Sequence, residues 1–147
     1  MFKVALFLHI LGASVWTGGH LVLCLTILPR ALRQRDPDII RSFEEGFERI
    51  GIPALLIQVV TGLWLAHRLV PSLAGWFSFA TATNTLVALK LMLLLLTLML
   101  AVHARLRLIP KLTAQTLPLL AWHVIAVTVV AVVFVFVGVG FRTGGLL

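Results

Sequence analysis

Four long apolar stretches make up most of this chain and restrict it to the folds that can span a lipid bilayer. They cover residues 4–28, 52–69, 83–103 and 117–141, and each is near or above the ~20 residues that a helix needs to cross the hydrocarbon core. A segment in lipid must satisfy its own backbone hydrogen bonds, and these stretches lack the alternation of barrel strands. The sequence therefore predicts an all-α, polytopic membrane protein with a bundle of four transmembrane helices.

The composition agrees with an integral membrane protein. Hydrophobic residues make up 61% of the 147 residues and charged residues 12%, whereas a soluble domain has about 45–50% and about 25%. This length leaves room for one domain over residues 1–147. The first apolar stretch follows Lys3 as in a signal peptide, but it continues to Leu28 and is too long for one, so we expect a retained helix. The single Cys24 excludes an internal disulfide.

Positively charged residues lie mainly in the first and third connections between the spans. The first connection has five arginines and the third has two arginines and a lysine, whereas the opposite side has three positive residues. By the positive-inside rule, both connections face the cytoplasm, and both termini lie on the periplasmic side of a bacterial-type inner membrane. The net charge of +7 then matches anionic lipid rather than nucleic acid. The residues are Arg30, Arg33, Arg35, Arg41, Arg49, Arg105, Arg107 and Lys111 inside, and Lys3, Arg68 and Arg142 outside.

The first connection also has the signals of a short helix. Asp36 and Pro37 suit an N-cap followed by proline at the first helical position. Apolar residues then recur at helical spacing, at Ile39, Phe43, Phe47 and Ile50. We expect a short cytoplasmic interfacial helix here, which either lies under the bundle or leads into the second span.

All five histidines lie within or at the ends of the apolar stretches. An imidazole in hydrocarbon is costly unless it faces a partner, a cavity or a metal, so each one is a functional hypothesis. The predicted topology places His9 and His67 in an outer layer, and His20 and His123 in an inner layer. His9 and His20 are eleven residues apart, which is three helical turns, so they share one face of the first helix. His103 stands beside two arginines, and we expect it to be solvated at the inner rim.

Three further residues complete the predicted site. Gly19, next to His20, is typical of close helix packing, but it also fits clearance for a flat macrocycle. Trp16 either packs in the core or borders such a ring. Lys90 is the only lysine within a span, and we expect it to face a carboxylate-bearing ligand or an aqueous cavity rather than the interface. The predicted metal ligands are His9, His20, His67 and His123, and the cofactor site adds Trp16, Gly19 and Lys90.

Six short motifs follow one another along the chain. They are L-H-I-L-G-A-S-V-W-T-G-G-H at 8–20, L-P-R at 28–30, R-S-F at 41–43, T-G-L at 61–63, K-L at 90–91 and R-L-R-L-I-P-K-L at 105–112. Their order resembles that of CopD-type copper-resistance membrane domains. It is more distantly similar to HemJ-type protoporphyrinogen oxidases, which have a histidine where this chain has Ala101. The resemblance implies copper import or resistance, or b-type haem as in relatives of the wider group, with His9, Trp16, His20 and Lys90 as functional positions.

Four functions stay open at this point. The first, which we expect, is a membrane cytochrome whose paired histidines hold one or two b-type haems and pass electrons across the bilayer, with a quinone or a redox protein as partner. The second is copper binding or transport, although Cu(I) prefers sulfur ligands and the chain has only three methionines and one cysteine. The third is a HemJ-like porphyrinogen oxidase, and the fourth is a structural subunit without a cofactor. Enzymatic activity and homo-oligomerisation stay open as well.

The predicted orientation can be tested with reporter fusions. A reporter that is active only outside the cytoplasm should be active when it is fused after Gly145, because the fourth span ends outside. The same reporter fused after Gln34, in the arginine-rich first connection, should be inactive. The reverse pattern of activities would show that the chain is inserted the other way round.

Overall fold

The computed structural model of this protein describes residues 1–145 and consists of helices joined by short turns. The main helices are α1 (Phe2–Val22), α2 (Leu28–Gln34), α3 (Asp38–Leu69), α4 (Ala82–His103) and α5 (Leu117–Thr143). Some of these helices follow one another without a break and form one continuous helical rod. Four rods are long and apolar enough to cross a membrane: Phe2–Gln34, Asp38–Leu69, Ala82–Lys111 and Leu117–Thr143. The predicted all-α fold with four spans is therefore confirmed.

Two of these rods contain a π-helical turn near the predicted cytoplasmic end. One turn, Leu23–Ile27, joins α1 to α2, and the other, Ala104–Leu108, follows α4. Each turn begins within three residues of a histidine, after His20 in the first rod and directly after His103 in the second. A π-helical turn accommodates one extra residue and is often found at functional sites.

The first rod ends at a left-handed residue. Arg35 has a φ of 52°, and the backbone N–H of Asp36 donates to the carbonyl of Ala31 across 3.1 Å. This arrangement satisfies a carbonyl that the last helical turn would otherwise leave free. The chain then reverses through Pro37 into α3, with Asp36 accepting a hydrogen bond from the backbone N–H of Asp38 at 2.9 Å.

The segment predicted as a separate interfacial helix is continuous with the second span. Both belong to α3, which runs for 32 residues from Asp38 to Leu69 with Pro53 inside it. Of the two arrangements left open by the sequence, the structure therefore has the one in which the amphipathic segment leads into the span. The missing N–H of Pro53 does not end the helix, because membrane helices re-satisfy such interruptions locally.

The helices do not pack in chain order. α1 lies in the middle and packs against both α3 and α5, while α4 packs against α5. α3 and α4 are consecutive in the chain, yet they make almost no contact with each other. The order across the bundle is therefore α3, α1, α5, α4, and a space lies between the two outer helices.

The crossing of α1 and α3 depends on a glycine. A Cβ atom added to Gly12 would lie 2.7 Å from the carbonyl oxygen of Ala54 and 3.2 Å from the Cβ atom of Gln58. Membrane helices associate through such close backbone approach, because lipid offers no hydrophobic drive for them to pair. Gly12 is also the one buried residue of α1.

Replacing Gly12 by alanine should destabilise the bundle. The added methyl group meets a backbone oxygen that cannot turn away, so we expect the free energy of unfolding in detergent to fall by about 1–3 kcal/mol. Gly18→Ala is the matched control, because a Cβ atom there meets nothing within 4 Å and alanine favours the helix. Equal unfolding free energies for the two variants would contradict the proposed crossing.

Candidate metal centre

A cavity of about 380 Å³ opens where α3 and α4 leave space between them. Residues from all four rods line it, near the ends that the charge pattern places in the cytoplasm. Two of the predicted metal ligands, His20 from α1 and His123 from α5, face this one cavity. Its other lining residues with aromatic or charged side chains are Trp16, Glu44, Phe47, Glu48 and Arg105.

The hydrogen bond of His20 fixes which of its ring nitrogens can bind a metal. Nδ1 lies 2.8 Å from the carbonyl oxygen of Trp16, one turn earlier in α1. A carbonyl oxygen can only accept, so Nδ1 carries a proton, and in the neutral ring Nε2 keeps its lone pair. A ring that donates one N–H to a backbone carbonyl in this way is the usual form of a metal-binding histidine.

His123 has the complementary arrangement. Its Nε2 lies 2.8 Å from the carbonyl oxygen of Leu100 in α4, so Nε2 carries the proton and Nδ1 keeps the lone pair. This bond also ties α5 to α4 at the level of the cavity. In their neutral form, both histidines of the predicted inner layer therefore have one free nitrogen each.

Aromatic rings form one wall of the cavity. The ring of Trp16 lies 4.5 Å from that of His20 between centroids, and Phe47 presents an edge to His20 at 5.8 Å. Phe47 also fills the space beside Gly19, where an added Cβ atom would lie 2.1 Å from its ring. The space beside Gly19, which could have provided clearance for a macrocycle, is thus occupied by the Phe47 side chain of α3.

An ion pair closes the rim of the cavity. Arg105, in the second π-helical turn, pairs with Glu48 of α3, and Glu44 lies one helical turn before Glu48 and lines the same cavity. No local pattern in the sequence indicates that the partner of Glu48 comes from 57 residues away. The pair bridges the two helices that otherwise hardly touch.

His9, in the predicted outer layer, points at α3. Its Nδ1 lies 2.9 Å from the carbonyl oxygen of Gln58 and 3.2 Å from the Thr61 hydroxyl, which itself donates to the carbonyl of Ile57. The ring packs on Gly62, where an added Cβ atom would come within 2.9 Å of it. In its neutral form, His9 likewise has Nε2 free.

The predicted partners of His9 lie elsewhere. His67 is exposed near the end of α3, which continues to Leu69, and Gly62 rather than His67 faces the His9 ring. The ammonium of Lys90 lies over the rings of Phe134 and Phe141, at 5.0 and 5.9 Å from their centroids. Within residues 1–145, Lys90 forms no ion pair with a carboxylate. Its charge is stabilised by the aromatic faces.

A comparison with known families decides what kind of bundle this is. Residues 41–141, about two thirds of the chain, match the family described as Copper resistance protein D. The chain belongs to the CopD family. No curated protein and no solved structure matches it significantly. The match covers α3, α4 and α5 from Arg41 onwards, and so it includes His123 but not His20.

In this CopD-type bundle, His103 and His123 lie in contact, which no sequence pattern predicted. The rings of His103 and His123 lie 5.4 Å apart between centroids, while His103 is also exposed, in agreement with the solvated position predicted from the arginines beside it. Their contact depends on how α4 packs against α5, which no local pattern reveals. Across the described part of the chain, no group of three or more His, Cys, Asp or Glu side chains could enclose an ion. A metal in this CopD-type protein would therefore rest on histidine pairs and on ligands of other kinds.

The level of His9 in the CopD-type bundle contains a buried polar atom without a partner among the described residues. Gln58 is 8% exposed, and its side-chain oxygen Oε1 has no hydrogen-bond partner among the residues described. A buried acceptor that lacks a donor is destabilising by about 1–3 kcal/mol. The backbone carbonyl of the same residue, in contrast, receives the His9 ring proton.

Replacing Gln58 by methionine should therefore leave stability unchanged or raise it. Methionine keeps the length of the side chain and removes the unpaired oxygen, so we expect a gain of up to about 1–3 kcal/mol in the free energy of unfolding in detergent. Thr61→Val is the comparison, because it removes an acceptor of the His9 ring and should destabilise the protein. A loss of stability in Gln58→Met as large as that in Thr61→Val would show that Oε1 has a partner in the native protein.

Proposed function

We propose that this CopD-family membrane protein binds copper as its cargo, in the inner cavity between α3 and α4. The observation that carries the proposal is the pair of imidazoles, His20 and His123, that face one cavity and each have one free nitrogen in the neutral form. Imidazole nitrogen is a good ligand for copper, and it needs no proton loss when it is already neutral. The family match supports a relation to copper resistance.

The same geometry supports reversible rather than permanent binding. A cargo site must hold the ion strongly enough to accept it and weakly enough to release it. Two imidazoles without a third histidine, cysteine or carboxylate among the described residues give such an incomplete ligand set. Glu48 is compensated by Arg105, but Glu44 lines the same cavity, where a carboxylate favours the approach of a cation.

Haem is the second candidate, and one observation favours it. Two imidazoles from different helices share a largely apolar cavity that also contains Arg105, a suitable partner for a propionate. A b-type haem bound there would supply one-electron transfer to a quinone or a redox protein. The fit is incomplete, because Phe47 fills the space beside Gly19. A macrocycle on that side of His20 would require the Phe47 ring to move, whereas a single ion would not.

Copper titration of the purified protein tests the proposal. His20→Ala and His123→Ala should each weaken copper binding in detergent by at least about tenfold, because each removes one of two imidazole ligands. His67→Ala should bind as the wild type does, since His67 is exposed and far along α3 from the cavity. Copper affinity that is unchanged in both cavity variants would contradict the assignment.

The visible spectrum separates the two candidates. A copper protein as isolated should have no absorbance in the Soret region and should not take up added haemin. A Soret band that disappears in His20→Ala and His123→Ala, but not in His67→Ala, would instead establish the haem function.

A further inference from the structure

A second pair of imidazoles, His103 and His123, lies beside the cavity. His123 faces the cavity, and its ring lies 5.4 Å from that of His103, with an angle of 39° between the ring planes. His103 itself lines a groove of about 460 Å³ on the outer surface of α4. His123 is therefore in contact with the cavity on one side and with this groove residue on the other.

The separation of the two rings suits a shared metal ion. Two imidazoles that bind one ion with metal–nitrogen bonds of about 2.0 Å have centroids roughly 5–6 Å apart. The His103 and His123 rings are within that interval already. Since Nε2 of His123 is held by the carbonyl of Leu100, Nδ1 is the atom that would bind.

A thioether lies on the same face of α4. Met99 precedes His103 by four residues, so the two side chains project in the same direction along the helix. Both line the groove, and Met99 is 61% exposed, so no packing contact holds it away from an ion. One thioether and two imidazoles form a ligand set that favours Cu(I).

The charge of the groove narrows the choice of ion. Arg107 lines the same groove, and the described carboxylates that pair with arginines do so elsewhere, at Asp38 and Glu48. A nearby guanidinium opposes a divalent ion more than a monovalent one. Neutral ligands beside an arginine therefore favour Cu(I) over Zn²⁺ or Cu²⁺.

We propose that Met99, His103 and His123 form a second Cu(I) site on the outer surface of α4, next to the cavity. This inference extends the proposed function, because the two sites share His123. With Nε2 bound to Leu100, His123 has one free nitrogen and binds at one site at a time. An ion held by His20 and His123 can therefore pass to His103 and Met99 by exchange of ligands at His123.

X-ray absorption of the Cu(I)-loaded protein, prepared in detergent without oxygen, tests the site. The wild type should show a sulfur ligand together with nitrogen ligands. Met99→Leu should lose the sulfur signal, while Met92→Leu, another exposed methionine of α4, should retain it. Cys24→Ala should retain it as well. A sulfur signal that persists in Met99→Leu would overturn the proposal.

Competition with a Cu(I)-chelating dye gives an independent measurement. His103→Ala and Met99→Leu should weaken Cu(I) binding by at least about tenfold relative to the wild type and to Met92→Leu. Unchanged affinity in both variants would overturn the second site. Circular dichroism of each variant shows whether the helical fold is retained, and His103 and Met99 are exposed enough for their loss to leave the core intact.

His20→Ala distinguishes this inference from the proposed function. If His20→Ala still shows the sulfur signal, and the double variant with Met99→Leu loses it, the second site is supported. This holds whether or not the cavity binds copper. The opposite result would be that His20→Ala loses all Cu(I), while the separate variants Met99→Leu and His103→Ala bind Cu(I) as the wild type does. That result would support the cavity site and overturn the second site.

Discussion

In hydrocarbon, the proton on an imidazole ring needs an acceptor, and this requirement organises the interior of the bundle. His9, His20 and His123 each satisfy it with a backbone carbonyl, of Gln58, Trp16 and Leu100 respectively. A helical carbonyl can accept a second hydrogen bond because its oxygen has two lone pairs. Each bond fixes the orientation of a ring, and in the neutral ring the other nitrogen keeps its lone pair. The two bonds that cross between helices, from His9 and His123, also hold α1 to α3 and α5 to α4.

Much of the fold could be predicted because lipid imposes one rule on every span. The four apolar stretches correspond to the four rods, and the fourth predicted span, residues 117–141, differs from α5 by two residues at its end. The continuity of α3 could not be predicted, because Pro53 and the amphipathic segment before it suit a break as well as a continuous helix. In the structure the ring of Phe47 packs against Gly19 of α1, so the amphipathic half of α3 lies against the bundle.

The candidate site was predictable where a single helix defines it, or where the order of the spans gives two residues the same depth, as for His20 and His123. The eleven-residue spacing of His9 and His20 places both rings on one face of α1, and in the structure they face α3 and the cavity. Contacts between helices gave no such signal. The pairing of His103 with His123 depends on the register of α4 against α5, and that of Glu48 with Arg105 on the distance between α3 and the second π-helical turn. An apolar face looks the same in sequence whether it meets lipid or another helix.

The packing order α3, α1, α5, α4 has a consequence for how the protein is assembled. During synthesis, α1 and α3 can pair as soon as both are inserted, whereas α4 has no partner until α5 follows it. The two halves then join along α1 and α5, where the Thr128 hydroxyl donates to the carbonyl of His20 at 3.2 Å. The cavity has walls from both halves, so it comes into existence only when the last helix docks. A chain interrupted before α5 would leave Lys90 without the aromatic rings that cover it and the cavity without its α5 wall.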